Sequence, residues 1–383
     1  MPFAFPHLVA GLIAVLVGYT SSVVLIIQAA TAAGADAAQV SSWLWTLGIG
    51  MGVSCIGLSL YYRIPVLTAW STPGAALLIT SLGNFSLSEA IGAFIASSLL
   101  ITLCGISGWF DRLMRHIPAP LAAAMLAGVL LRFGLDLFKV APQDPLLLGA
   151  SLLAFLLGRH LWPRYTMVLV LGAGMLLCTL RGELQLAEVH WQLSSPVWIS
   201  PTFSINALLG IALPLFLVTM TSQNMPGITI LRAHGYQPAT SSLIGWTGLT
   251  GLLLAPFGGY AFNLAAITAA ICMGKEVDPD TARRWPAAVW AGCFYLLTGC
   301  FGATVVALFS AFPTALVTCV AGLALLGTIG SSLHAAQQQE EEREAALLTF
   351  LITASGISLL GVSSACWGLL VGVALHQVNR LRA

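Results

Sequence analysis

The sequence predicts an all-α polytopic membrane protein of about 14 spans, built as two seven-span repeats of opposite orientation with one interrupted helix in each. Three observations carry that expectation. Of the 383 residues, 58% are apolar and only 8% charged, with a mean hydropathy of +0.92, whereas soluble domains carry about 25% charge. The charges fall between apolar stretches long enough to cross a hydrocarbon core of roughly 30 Å, which takes about 20 helical residues. Segments of the first half also recur, in order, in the second.

Taken in chain order, the run 5–31 is too long for the ~7–15-residue core of a signal peptide and lacks a basic leader, so it reads as the first span. The runs 39–60, 64–81, 88–109, 118–138, 144–160 and 164–181 complete a first repeat over residues 1–181. Residues 182–203 alternate polar and aromatic positions and form the linker, on the outer side. The second repeat, 204–383, holds the runs 204–231, 239–256, 258–273, 286–309, 312–332, 344–361 and 364–379. Between two of these, the run QQQEEERE from Gln337 to Glu344 is a solvated cytoplasmic loop.

Lys and Arg test this count independently, because short loops keep positive charge on the cytoplasmic side. With the N-terminus inside, Arg63, Arg112, Arg115, Arg159, Arg164, Arg232, Lys275, Arg283, Arg284, Arg343, Arg380 and Arg382 fall cytoplasmic. Arg132, Lys139 and Arg181 fall outside. A single miscounted span would scramble this split, so the expectation is a bacterial-type inner-membrane protein with both termini cytoplasmic. The eight cysteines lie in apolar segments without paired spacing and read as small core residues. A net charge of +1 without a basic, aromatic-studded patch argues against nucleic-acid binding. No metal or cofactor is expected.

The repeat shows in Ile117–Leu131 (IPAPLAAAMLAGVLL) against Phe312–Leu326 (FPTALVTCVAGLALL), and in Ser41, Ser42, Trp45 and Thr46 against Ser241, Ser242, Trp246 and Thr247. The near-constant offset, about 195–201 residues, is the mark of a duplicated transporter fold. An odd number of spans per repeat inverts the second.

Solutes in such folds sit where helices break and backbone groups come free. Ile64–Ile79 (IPVLTAWSTPGAALLI) predicts an extended stretch and then a helix start, with Ser71 or Thr72 as cap and Pro73 in the first turn. Ala255–Ala270 (APFGGYAFNLAAITAA) is its partner, with Pro256, Gly258 and Gly259 as the break and Asn263 as candidate cap. The two half-helices would aim their N-termini at one central space. Tyr19 in the first span, and Gln223 and Asn224 in the eighth, are further candidates. Two adjacent amides in hydrocarbon need partners.

The motifs TSQNMPG and NLAAITAAICMG, together with the overall pattern, resemble the BenE-type benzoate/proton symporter family over essentially the whole chain. That family is similar in turn to nucleobase–ascorbate and anion-exchanger carriers. The resemblance implies a core domain (spans 1–4 and 8–11) moving against a gate domain (spans 5–7 and 12–14). Nucleobase carriers of that fold place carboxylates at positions that correspond here to Gln223 and Phe262, neither acidic. An anionic solute explains the difference, because helix N-termini contribute roughly half a positive charge each and free N–H groups. Trp70, Phe262 and Tyr260 would pack on an aromatic ring, and Ser71, Thr72, Asn263 and Tyr19 would complete the site.

The expected function is therefore secondary active transport of small aromatic carboxylates such as benzoate, as proton symport by alternating access. A nucleobase or other organic-anion carrier of the same fold is the alternative within the class. A channel would need a continuous polar pore, and a membrane-embedded enzyme a convergent acid, base or metal cluster. Arg132 and Asp136, at i,i+4, read first as an intrahelical ion pair. Asp136, Glu89 or the substrate carboxyl are the candidates for carrying the proton. Expected partners are the carboxylate, protons and lipid, with a second copy of the chain as a further candidate.

Overall fold

The structure, a computed structural model, describes residues 5–108, 118–184, 189–265, 267–275, 277–357, 359 and 364–382. Arg112, Arg115 and Ile117, used above for charge and repeat, lie outside those residues. Helices α1 (Phe5–Ala32), α2 (Ala37–Tyr62), α3 (Thr72–Ser81), α4 (Leu87–Ile106), α5 (Ala119–Phe138), α6 (Pro145–Leu161) and α7 (Thr166–Leu180) make the first half. The second half comprises α8 (Ile205–Arg232), α9 (Thr240–Leu254), α10 (Ile267–Cys272), α11 (Trp285–Cys300), α12 (Gly302–Ser310), α13 (Thr314–Gln337), α14 (Arg343–Ser355) and α15 (Ser364–Arg382).

Among the described residues, α1, α2, α4, α5, α8 and α13 are each long and apolar enough to cross a membrane. Several helix starts follow from local chemistry. Asp36 and Gln39 close a capping box on α2, Ser86 and Glu89 close one on α4, and Asp144 caps α6. The expected span 286–309 is not one helix. It bends by 66° between α11 and α12, where the linker takes up the freed backbone groups: Ser194 N–H donates to Cys300 O at 2.8 Å, and Ala303 N–H donates to Ser194 Oγ at 2.7 Å.

The fold is also not purely helical. β1 (Thr68–Trp70) pairs antiparallel with β2 (Phe262–Leu264), in the register Thr68 to Leu264, Ala69 to Asn263 and Trp70 to Phe262. Extended backbone in a bundle interior must find partners, since each orphan costs several kcal/mol in hydrocarbon. Helix α2 supplies them: Val66 N–H donates to Ser59 Oγ, and Thr68 N–H to Cys55 Sγ, both at 3.1 Å. Ser42 and Thr46 donate to Phe257 O at 2.9 and 3.0 Å, holding the second break.

Helices pack through small residues, as expected where lipid removes the hydrophobic drive. Helix α2 lies on α11 and α4 on α9, while α5 packs on α13 and α14. A Cβ on Gly48 would overlap the Gly299 backbone, and one on Gly105 would overlap Gly245. Cys55, Cys104, Cys178, Cys272, Cys319 and Cys366 are buried free thiols, in keeping with core roles, whereas Cys293 is exposed.

Candidate functional site

Both breaks deliver a helix start to one place. Ser71 caps α3 by accepting from Gly74 N–H at 3.0 Å, and Pro73 occupies its first turn. With Pro lacking an N–H and Gly74 already capped, the main-chain donor left over at this end is Thr72 N–H. The start of α10 lies beside it, and Thr72, Pro73, Ala265 and Thr268 line a common cavity of about 450 Å³. That size suits a small ligand, for which sites span roughly 300–1,000 Å³.

The eighth span brings the third component. Met220–Asn224 is a π turn within α8, an uncommon winding that collects at functional positions. It separates two neighbouring amides. Gln223 is half-buried and lines the cavity, and among the described residues its carboxamide has no hydrogen-bond partner. Asn224 is fully buried and accepts from Leu264 N–H at 3.0 Å, so it holds β2 in place. Trp70 contributes one aromatic wall, its indole N–H fixed by Ser22 Oγ at 2.9 Å. Tyr295 forms another. Tyr19 packs behind them, edge-on to Trp70 with ring centroids 4.9 Å apart.

Six of the nine expected site residues therefore do not line the cavity, Tyr19 among them. Asn263 is not a helix cap, because it sits in β2, four residues before α10 begins. Its Nδ2 donates to Ala261 O at 2.8 Å, bracing a residue held at φ 43, where a Cβ is disfavoured. Tyr260 is buried against Trp43 and Phe94, with centroids at 5.9 and 5.6 Å, and does not line the cavity. Phe262 is likewise buried, its ring seated on Gly50 of α2. Asn224 is occupied as described. Ser71 stands directly behind Thr72 as cap, leaving Trp70, Thr72 and Gln223 as the expected residues that reach the cavity.

Neither proton candidate reaches it. Glu89 accepts from Ser86 N–H at 3.0 Å as the first-turn acid of α4. Asp136 pairs with Arg132 at 3.7 Å and with Lys139 at 2.7 Å, at the far end of α5. Among the described side chains, no Asp, Glu, Lys, Arg or His lines the central cavity.

Pro163, Thr166, Met167 and Val168 at the α6–α7 turn and Ala324, Leu325, Thr328 and Ser331 of α13 form the remaining wall. Sequence reasoning missed Thr268, Tyr295, Thr328 and Ser331. Thr268 was within reach, since it follows the second break as Thr72 follows the first. Tyr295 lies in an apolar run with no break beside it and gives no such signal.

This architecture, with two broken helices meeting at a cavity without described charged side chains inside an apolar bundle, is that of a membrane transport protein. The solved transmembrane domain of a cyanobacterial bicarbonate transporter, BicA, shares the fold at a TM-score of 0.64 and 12% identity, over 97% of this chain and 98% of that one. Murine Slc26a9, an anion transporter solved in the inward-facing state, matches at a TM-score of 0.55 and 13% identity, over 98% of this chain and 68% of that one. The chain belongs to the benzoate membrane transport protein family (BenE), whose model matches residues 1–378. It is 50% identical to the inner membrane protein YdcO of Escherichia coli K12, over 99% of this chain and 97% of that one. It is also 41% identical to the benzoate membrane transport protein of Acinetobacter baylyi, over 97% and 94% respectively. The protein is thus a multi-pass membrane transporter and not an enzyme.

Proposed function

We propose that the protein carries small aromatic carboxylates such as benzoate across the bacterial inner membrane, in symport with protons. The observation that carries this reading is the uncharged cavity at the start of α3, where Thr72, Gln223 and Thr268 converge beside Trp70 and Tyr295. The carboxylate accepts from Thr72 N–H, its hydroxyl and the Gln223 amide, within the positive end of the α3 dipole. Helix α10 has six residues, so its dipole adds less. The ring lies between Trp70 and Tyr295, contacts worth about 0.5–1.5 kcal/mol beyond burial. With no Asp, Glu, His, Lys or Arg side chain described in the cavity, the substrate's own carboxyl is the favoured proton carrier.

Movement follows from two bodies. A core of α1–α4 and α8–α12 and a gate of α5–α7 and α13–α15 meet at the cavity, within fourteen passes related as an inverted repeat. Helix packing supports the repeat: the α2–α11 and α4–α9 contacts exchange if each helix is swapped for its counterpart in the other half. Both termini face the cytoplasm. On this reading the cavity, lined by Pro163 and Thr166 at the α6–α7 turn, takes that side as its route of access.

The test is initial-rate uptake of labelled benzoate into vesicles containing the protein, with and without an acidic exterior. Protein-free vesicles give the background of the weak acid. Accumulation above that background, driven by the gradient, is expected. Equilibration alone, whatever the gradient, would point to a channel.

A further inference from the structure

Arg132, Asp136 and Lys139, at the C-terminal end of α5, line a second cavity of about 710 Å³. One acid serves two cations there, with Lys139 Nζ 2.7 Å and Arg132 Nε 3.7 Å from the Asp136 carboxylate. The side chains of Arg132 and Lys139 are 74% and 71% exposed, so both retain free donors and room to turn. They also line a neighbouring cavity of about 310 Å³, in which no acid is described. Among the described residues Asp136 is the sole acid in the larger one, leaving a net positive charge. The side-chain carboxamides of Gln28 and Gln143 complete the wall, with no hydrogen-bond partner among the described residues. Arg181 differs, being engaged by Asp144 at 2.6 Å and Glu183 at 3.7 Å.

Position gives this cluster its meaning. Helix α1 lines the central cavity with residues 17–22 and the second cavity with residues 27–32. Helix α13, running the other way, lines them with residues 324–331 and 314–321. The two cavities therefore follow one another along a single seam, from opposite ends.

We infer that the second cavity is an anion-recruitment site, which takes a small carboxylate from the side opposite the N-terminus and holds it between Arg132 and Lys139 before the seam opens toward Gln223. The inference rests on the carboxylate reading above. An incoming carboxylate competes with Asp136 for donors already in place, forming charge-assisted bonds to an ammonium and a guanidinium. A net positive mouth with low-dielectric walls also raises the local anion concentration. The central cavity, by contrast, holds its ligand without a described charge, so the hand-over runs from a screened, exchangeable site to a neutral one.

The experiment uses the full chain in phosphatidylcholine vesicles with the N-terminus inside, so that no anionic headgroup competes. External KM for benzoate is read at low and high salt. R132Q/K139Q should raise that KM about three- to tenfold at low salt and flatten its salt dependence, while Vmax holds. D136N, which keeps both cations, should lower it. An unchanged KM in R132Q/K139Q, or D136N shifting it upward as well, would overturn the proposal.

Should the wild type take up no benzoate, the transport reading fails, and saturation-transfer NMR of benzoate on the purified protein decides this site separately. A signal that persists in Q223A and is lost on adding R132Q/K139Q supports the site. One indifferent to R132Q/K139Q removes it.

Discussion

Gln223 and Asn224 are neighbours with nearly the same side chain, yet the π turn at Met220–Asn224 gives them different work. Asn224 is spent on Leu264 N–H, whereas Gln223 keeps donors and acceptor for a ligand. Two substitutions separate these roles. Gln223→Ala should weaken benzoate binding up to about tenfold, the loss of one hydrogen bond of roughly 1.4 kcal/mol, and leave the melting temperature unchanged. Asn224→Leu should do the reverse first, lowering stability by about 1–3 kcal/mol because a buried N–H is orphaned. Charge gives the sharper result. Gln223→Glu sets two anions near 4 Å apart, a repulsion of about 4 kcal/mol at an effective dielectric of 20, and should abolish binding. Equilibrium binding and thermal unfolding measure all three, and a Gln223→Glu protein that binds benzoate normally would remove this residue from the site.

At the scale of elements, helix contacts without side chains set the geometry of the bundle. Gly48 and Gly57 share helix α2, but a Cβ at 48 meets the backbone of Gly299 while one at 57 meets nothing within 4 Å. Gly48→Ala should cost about 1–3 kcal/mol as α2 and α11 are forced apart. Gly57→Ala should be neutral or gain up to about 1 kcal/mol from helix propensity. Melting of the detergent-solubilised protein compares them, and equal shifts would mean the α2–α11 contact is not tight.

The breaks show how far such elements can be read without coordinates. The first was legible down to a choice of cap between Ser71 and Thr72, because capping and Pro73 act within one turn of chain, and Ser71 takes the role. The second was legible as a break but misassigned at Asn263, since the residues after Gly259 are drawn into a strand by β1, a partner distant in sequence. The π turn left no trace, as i→i+5 winding has no residue signature. Tyr260 and Phe262 were aromatic residues beside a break and read as ligand walls. Trp43, Phe94 and Gly50 claim them instead, through contacts no spacing rule predicts.

At the scale of the molecule, the seam along α1 and α13 holds a cavity at each end, and buried residues of α1 between them, Val23 to Ile26, keep the two apart. A carrier that exposes one site alternately to each side has to open and close such a plug by sliding its two bodies past each other. Side-specific chemistry reads this directly. In a background where the exposed Cys293 is replaced by Ser, Ser331→Cys reports on the central cavity and Thr31→Cys on the other. A membrane-impermeant maleimide should label Ser331→Cys from the side bearing the N-terminus and Thr31→Cys from the opposite side. Saturating benzoate should slow labelling of Ser331→Cys by occupying the central cavity, and a pH gradient that drives turnover should change the two rates in opposite directions. Labelling of both positions from one side would contradict a seam with two mouths. Rates that rise and fall together would mean a continuous pore, and alternating access would have to be given up.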